Sequence, residues 1–314
     1  MIKILIIISI TILIILLCGY FGVGGYFYHF SLNPKFRKTI LNKKKKKKKT
    51  NNNYLADDES IKWFEKESKY KEVYIKSKDK KINLHSYKII NKKSNNWVII
   101  IHGYFGTGKE LLNASKNFYE RGFNILLPEL RAHGKTGGKY IGMGWPDRLD
   151  IIEWIKYLNK HHKDNKIILY GVSMGAATVM MTSGENLPEN VKIAIEDCGY
   201  TSVWEEFSHQ LKTFFKLRPR LIMSAANIIS KLKNNFILKD ADSIKQIKKA
   251  NIPMLFIHGS EDKFVPFDMM EKIYNAYPSQ KEKLIIEGAK HAKASFVNPE
   301  LYWSTIDNFI KKYF

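Results

Sequence analysis

The run Lys166-Ile167-Ile168-Leu169-Tyr170-Gly171-Val172-Ser173-Met174-Gly175-Ala176-Ala177 decides how this chain reads. An apolar, β-favouring segment enters G-x-S-x-G, and small, helix-favouring residues leave it. That order is a strand, a sharp turn and a helix, with a serine at the tip of the turn. A Cβ at Gly171 or Gly175 would meet the backbone of so tight a turn. The turn lifts the Ser173 hydroxyl out of the sheet and brings the N–H groups of a helix N-terminus beside it. The five-residue motif recurs by chance, so the flanking strand and helix are what give it weight.

A serine hydroxyl is a poor nucleophile at neutral pH; it needs a base, and the base needs an orienting carboxylate. Both follow downstream. Pro253 to Ile257 reads as a buried strand, and the loop after it, His258-Gly259-Ser260-Glu261-Asp262, carries an acid. Leu284-Ile285-Ile286-Glu287 reads as a short strand followed by Gly288-Ala289-Lys290-His291. Singly, an aspartate after a strand is a turn former and a loop histidine is solvated. As an ordered set they predict Ser173 as nucleophile, Asp262 as acid and His291 as base. Asp197, also at a strand end, competes with Asp262.

Acyl chemistry further requires donors for the charge that develops on the attacked carbonyl. Trp97 to Ile101 is a strand that opens into His102-Gly103-Tyr104-Phe105-Gly106, a loop placed before the serine turn. It suits one backbone N–H donor, Tyr104 or alternatively Phe105, with Met174 as the second. His102, His133 and His258 read as structural residues. The pair His161-His162 reads as a solvated helix end, because adjacent helical residues point apart.

With these blocks in hand the chain resembles an α/β-hydrolase from about Glu72 to Phe314. HGYFG from His102, ELRAHGKTGG from Glu129, GVSMGA from Gly171 and HGSEDKFVP from His258 carry the resemblance, and His291 completes it. Within that superfamily it is most similar to the serine-aminopeptidase and monoacylglycerol-lipase-like branch, and to bacterial hydrolases with an N-terminal membrane segment. The resemblance implies a nucleophilic Ser173, the acid Asp262, the base His291 and the oxyanion donors Tyr104 and Met174. Glu129 departs from the usual D-x-R-x-H-G pattern at a supporting position.

Outside the catalytic part, Ile4 to Phe21 is apolar except for Ser9, Thr11 and Gly19, and about 20 such residues span a bilayer. No A-x-A-like site follows, which favours a retained anchor over a cleaved signal. Ten basic residues lie between Lys35 and Lys49, seven of them the unbroken run from Lys43, and Asn51-Asn52-Asn53 follows. Such a segment cannot build a core and reads as a disordered linker. It suits anionic headgroups and, against Lys3 alone on the other flank, predicts a cytoplasm-facing domain. The net charge is +22. Residues 1–54 hold 11 of the 52 basic residues and no acid, leaving 41 basic against 30 acidic residues elsewhere. That excess is spread without aromatic interleaving and gives no nucleic-acid platform. Cys18 and Cys198 sit in dissimilar apolar contexts, so no structural disulfide is expected and the redox compartment stays open.

From the linker on, strand-like and helix-like segments alternate, predicting a mostly parallel eight-stranded sheet flanked by helices. The expected strands are Glu72–Lys78, Ile82–Ile90, Trp97–Ile101, Asn124–Leu127, Lys166–Tyr170, Val191–Ile195, Pro253–Ile257 and Leu284–Glu287. The expected divisions are 1–30 anchor, 31–60 linker and 61–314 hydrolase, with a small helical cap inserted at about 200–250. The cap carries Trp204, Phe207, Leu211, Phe214 and Phe215 at helical spacing, which suits either plain packing or an acyl pocket. The whole predicts a membrane-anchored serine hydrolase that cleaves an ester, thioester or amide through an acyl-enzyme. The partners expected are a small-molecule or lipid-like acyl substrate and the membrane; no metal or organic cofactor is implied. An acyltransferase or peptidase on the same residues, or a silent membrane-tethered scaffold, are the alternatives.

Overall fold

A computed structural model describes residues 1–44, 56–92 and 94–314. Its eight strands are β1 (Lys71–Lys76), β2 (Asn83–Ile89), β3 (Trp97–Ile101), β4 (Asn124–Pro128), β5 (Ile167–Val172), β6 (Val191–Asp197), β7 (Met254–Gly259) and β8 (Lys281–Ile286). They form one sheet in the order β1-β2-β4-β3-β5-β6-β7-β8. β1 and β2 pair antiparallel with each other and β2 with β4, and every other pairing is parallel. The mostly parallel eight-stranded sheet expected from the alternating pattern is present. β3, β4, β5 and β7 are buried throughout, as strands covered on both faces must be. β8 starts three residues earlier than its apolar pattern suggests. Lys281, Glu282 and Lys283 are polar because this is an edge strand, where charge blunts a free edge.

Helices α1 (Ile2–Leu32) and α2 (Pro34–Lys44) precede the sheet. Around and between the strands come α3 (Asp58–Lys66), α4 (Leu112–Glu120), α5 (Asp147–His161) and α6 (Met174–Ser183). Between β6 and β7 lie α7 (Val203–Phe215), α8 (Pro219–Asn234) and α9 (Ser243–Ile247). α10 (Phe267–Ala276), α11 (Ala294–Val297) and α12 (Pro299–Tyr313) complete the chain. α6 is buried on every side, which its Gly175, Ala176 and Ala177 permit.

The chain divides into two compact units. One holds residues 56–202 with Ala241–Phe314, and therefore the whole sheet; the other holds α1 and α2 with Val203–Asp240. In the second unit the end of α1 packs on α8. A Cβ on Gly24 would run into the Ala225 methyl, and the Tyr28 hydroxyl accepts a 2.6 Å hydrogen bond from Asn234. Phe27 and Phe30 meet the Phe215 ring edge-on at 5.1 and 5.9 Å. The start of the expected disordered linker is helical instead, as α2. Phe36 explains this, since its ring packs on Tyr26 of α1 and gives a basic segment an apolar seat. Most of the lysine run and the Asn51-Asn52-Asn53 stretch lie outside the described residues.

Parallel strands carry their loops at one edge, and ligand crevices form where the strand order reverses direction. Here the chain passes from β3 to β4 on one side and to β5 on the other. Ile101 pairs with Gly171, so the loop after β3 and the turn after β5 are neighbours at that switch.

Candidate active site

Ser173 stands between β5 and α6 with φ +58 and ψ −117, a left-handed conformation unusual for a residue with a Cβ. Such strain persists only where the surroundings dictate it. Here they do. A Cβ on Gly171 would collide with the Gly175 carbonyl, and one on Gly175 with the Ile101 carbonyl oxygen. The Ser173 amide is tied to the Asp197 carbonyl at 2.8 Å. Gly103 faces the serine, with space for a Cβ only 3.5 Å from the Ser173 Cβ.

His291, five residues past β8, brings Nε2 to 2.9 Å from Ser173 Oγ. Its Nδ1 lies 2.6 Å from Asp262 Oδ2. The other carboxylate oxygen, Oδ1, accepts the Phe264 and Val265 amides at 2.9 and 3.0 Å, so the acid is held from both ends. Three residues spread over 118 positions therefore form one continuous hydrogen-bonded line. Burial alone would raise the Asp262 carboxyl, but the hydrogen bonds from His258 and His291 outweigh it and hold it at about 2. It is ionised at any working pH.

Asp197 is engaged elsewhere. Its Oδ2 accepts the Tyr302 hydroxyl at 2.9 Å, and Tyr302 in turn lies 2.8 Å from the Tyr170 hydroxyl. Burial raises the Asp197 carboxyl to about 6. The competition between the two aspartates is thus decided spatially: Asp262, not Asp197, is the one hydrogen-bonded to His291.

In the loop after β3 the Phe105 amide donates to His133 Nε2 at 3.1 Å, and Phe105 takes φ +60. His133 Nδ1 donates to the Arg131 carbonyl at 2.9 Å. His102 is pinned the same way, donating from Nδ1 to the Gly103 carbonyl at 2.7 Å and accepting the Leu130 amide at 3.0 Å. Burial drives both rings down, to about 3 for His102 and about 4 for His133, so each stays neutral with a fixed tautomer. Both rings tie the loop backbone down. The Phe105 amide is thereby committed to His133. Met174 opens α6, where the first amides lack intrahelical acceptors.

The block around Glu129 holds this loop from behind. The Glu129 carboxylate accepts from His85 Nδ1 at 2.8 Å and from the Lys135 amide at 2.6 Å. Arg131 makes paired bonds of 2.6 and 3.0 Å to Asp150 and one of 3.0 Å to Asp79. Glutamate fits where aspartate is usual because the carboxylate lies against Gly134, which has no side chain to displace.

Sequence reading missed one participant. His258 Nε2 lies 3.1 Å from the Val265 carbonyl and 3.4 Å from Asp262 Oδ2, adding a second imidazole beside the acid. A histidine four residues before the acid was the available signal. Ligand atoms of Cys198, Asp262 and His291 also fall within 4.8 Å of one another. This donor set fits a metal poorly, since Asp262 and His291 already bind each other and burial pushes the Cys198 thiol well up.

Comparison with known proteins bears on the fold. Residues 96–228 match the family profile for the alpha/beta hydrolase fold. The uncharacterized protein YqkD of Bacillus subtilis is 26% identical over 73% of this chain and 75% of its own length. The mouse lysophosphatidylserine lipase ABHD12 is 25% identical over 58% of this chain and 46% of its own length. The esterase Pf2001 of Pyrococcus furiosus superposes with a TM-score of 0.64 at 24% identity, covering 78% of this chain and 93% of that one. Strand order, the strained serine turn and these similarities lead to one conclusion: the chain has the α/β-hydrolase fold.

Proposed function

We propose that this esterase- or lipase-like α/β-hydrolase is a serine enzyme, anchored in a membrane by α1, that cleaves acyl esters through an acyl-enzyme. The observation that carries the reading is the line Ser173 Oγ–His291 Nε2–Asp262, at 2.9 and 2.6 Å. His291 Nε2 takes the Ser173 proton as Oγ attacks the acyl carbon, and Nδ1–H stays on the ionised Asp262. The oxyanion rests on the amides of Tyr104 and Met174. The imidazolium protonates the leaving group, and the acyl group remains on Oγ. Water then attacks the acyl carbon, its proton goes to Nε2, and Nε2 passes that proton to Ser173 Oγ as the acid departs.

The lipid substrate of ABHD12 and the apolar anchor together favour an ester with a long acyl chain, presented at or near a bilayer. α1 supports the anchor, with an 18-residue window of mean hydropathy 3.0 that is wholly exposed. The basic residues after it favour a single span with the catalytic unit on the cytoplasmic side. Fluorophosphonate labelling, followed by a p-nitrophenyl ester chain-length series, tests the reaction. Ser173→Ala should abolish labelling with an unchanged circular dichroism spectrum. Undiminished labelling of that variant would remove Ser173 as nucleophile. Transfer of the acyl group to an added alcohol in preference to water would make the enzyme an acyltransferase.

A further inference from the structure

α8 carries an apolar ridge that its own unit covers only at Ala225, under α1. Leu221, Ile228 and Leu232 are spaced seven and four residues apart, hence on one helix face, and are 67%, 41% and 79% exposed. The turn before α8 continues the pattern, with Phe214 56% and Leu217 39% exposed. Exposed Lys216, Arg218 and Arg220 alternate with these apolar residues. Between Glu206 and Asp240 the chain holds seven Lys and Arg and no acid. An apolar ridge flanked by cations is the composition of a helix that lies in a lipid interface.

The position of α1 says what covers the ridge. Ala225 completes it, four residues after Leu221 and three before Ile228, and Ala225 is where Gly24 of α1 packs. The end of α1, from Gly24 on, therefore packs on the ridge within one unit. Residues 2–23 of α1 are exposed apart from a half-buried Tyr20. At about 1.5 Å per residue they reach roughly 33 Å, against a hydrocarbon core of about 30 Å. Gly24 is then the point at which α1 leaves the hydrocarbon, which puts Ala225 and its ridge at headgroup depth. The exposed Lys35 and Lys38 on α2, just beyond the end of α1, add to the same cationic layer.

We infer that the Phe214–Leu232 face of α7 and α8 is a second membrane contact, seated on the bilayer surface with its apolar ridge among the acyl chains and its basic residues on anionic headgroups. The inference rests on α1 being a membrane span. It makes the inserted helices a lipid-facing element of the enzyme, held at one depth by α1, and not a free cap.

Full-length protein in a Cys18→Ser background, with Cys198 buried, is reconstituted into vesicles of phosphatidylcholine with or without phosphatidylglycerol. An NBD label is placed singly through Ile10→Cys, Leu221→Cys, Leu232→Cys or, as the aqueous control, Lys163→Cys. Quenching by doxyl-labelled lipid is compared with quenching by iodide. The expected result is lipid quenching and iodide protection at residues 10, 221 and 232, and the reverse at 163. Arg218→Gln with Arg220→Gln should weaken lipid quenching at 221, each charge being worth about fivefold in docking on anionic vesicles. Iodide access at 221 equal to that at 163, with residue 10 still lipid-quenched, overturns the inference and leaves the span. Protection from iodide without lipid quenching, growing with protein density, assigns the ridge to a second copy and overturns it too. An unquenched label at residue 10 overturns both.

Discussion

Replacing Asp262 by Asn tests the active-site geometry more sharply than removing the serine, because the structure dictates which way the amide turns. The position of Oδ1 accepts two backbone amides, from Phe264 and Val265. Only the carbonyl oxygen of Asn can sit there, so its NH2 must face His291. Nδ1 of His291 then becomes the acceptor and its proton moves to Nε2, 2.9 Å from Ser173 Oγ. A protonated Nε2 cannot take the serine proton. Loss of the correct tautomer costs about 10^4 in turnover, or about 5.4 kcal/mol of transition-state stabilisation. A smaller effect on stability accompanies it. Asp262 is held at about 2 against an ordinary 3.8, so its stabilisation is complete above pH 3.8 and lost as pH falls through 2. Removing it should cost about 2 kcal/mol at neutral pH, measurable as a lowered Tm and far too little to explain the activity loss. Asp197→Asn is the control. Its carbonyl can still accept the Tyr302 hydroxyl, and the substitution removes a buried charge, so turnover should stay within a few-fold of wild type. Steady-state hydrolysis of a p-nitrophenyl ester by both variants, with melting curves alongside, decides the matter. Near-normal activity in Asp262→Asn together with collapse in Asp197→Asn would refute the reasoning.

Gly175→Ala should destabilise the fold by about 3 kcal/mol or abolish expression of folded protein, since the new methyl meets the Ile101 carbonyl; an unchanged urea midpoint would contradict the packing. Burial raises the Glu196 carboxyl to about 8, and its Oε1 has no hydrogen-bond partner. The folded state therefore keeps a proton that the unfolded chain releases near 4.5, and this residue makes stability fall as pH rises from 4.5 through 8. Glu196→Gln should flatten the decline in Tm between pH 5 and 8; an identical profile in the variant would count against it. For membrane side, protease added to intact cells should spare the catalytic unit, and digestion without lysis would show an outward-facing enzyme.

Much of this enzyme is readable in its residues because the signals are local. An apolar run ending in G-x-S-x-G dictates a strand and a tight turn through steric crowding among adjacent residues, and all eight strands announce themselves by apolar patterning. The order of serine, acid and histidine follows from the same short windows. Choices between chemically equal candidates were not local. Asp197 ends a strand and Asp262 follows one, and it is Tyr302, 105 residues beyond Asp197, and His291, 29 beyond Asp262, that separate their environments. Tyr104 and Phe105 are adjacent, and it is His133, 28 residues on, that occupies the Phe105 amide. Pairing α1 with α8 joins Gly24 to Ala225 across about 200 residues, a contact between two small residues that no periodicity in either helix announces. Spacing along a chain determines which backbone shapes are possible. Which of two equivalent groups finds a hydrogen-bond partner, and which helix finds a seat, depends on groups that only folding brings together.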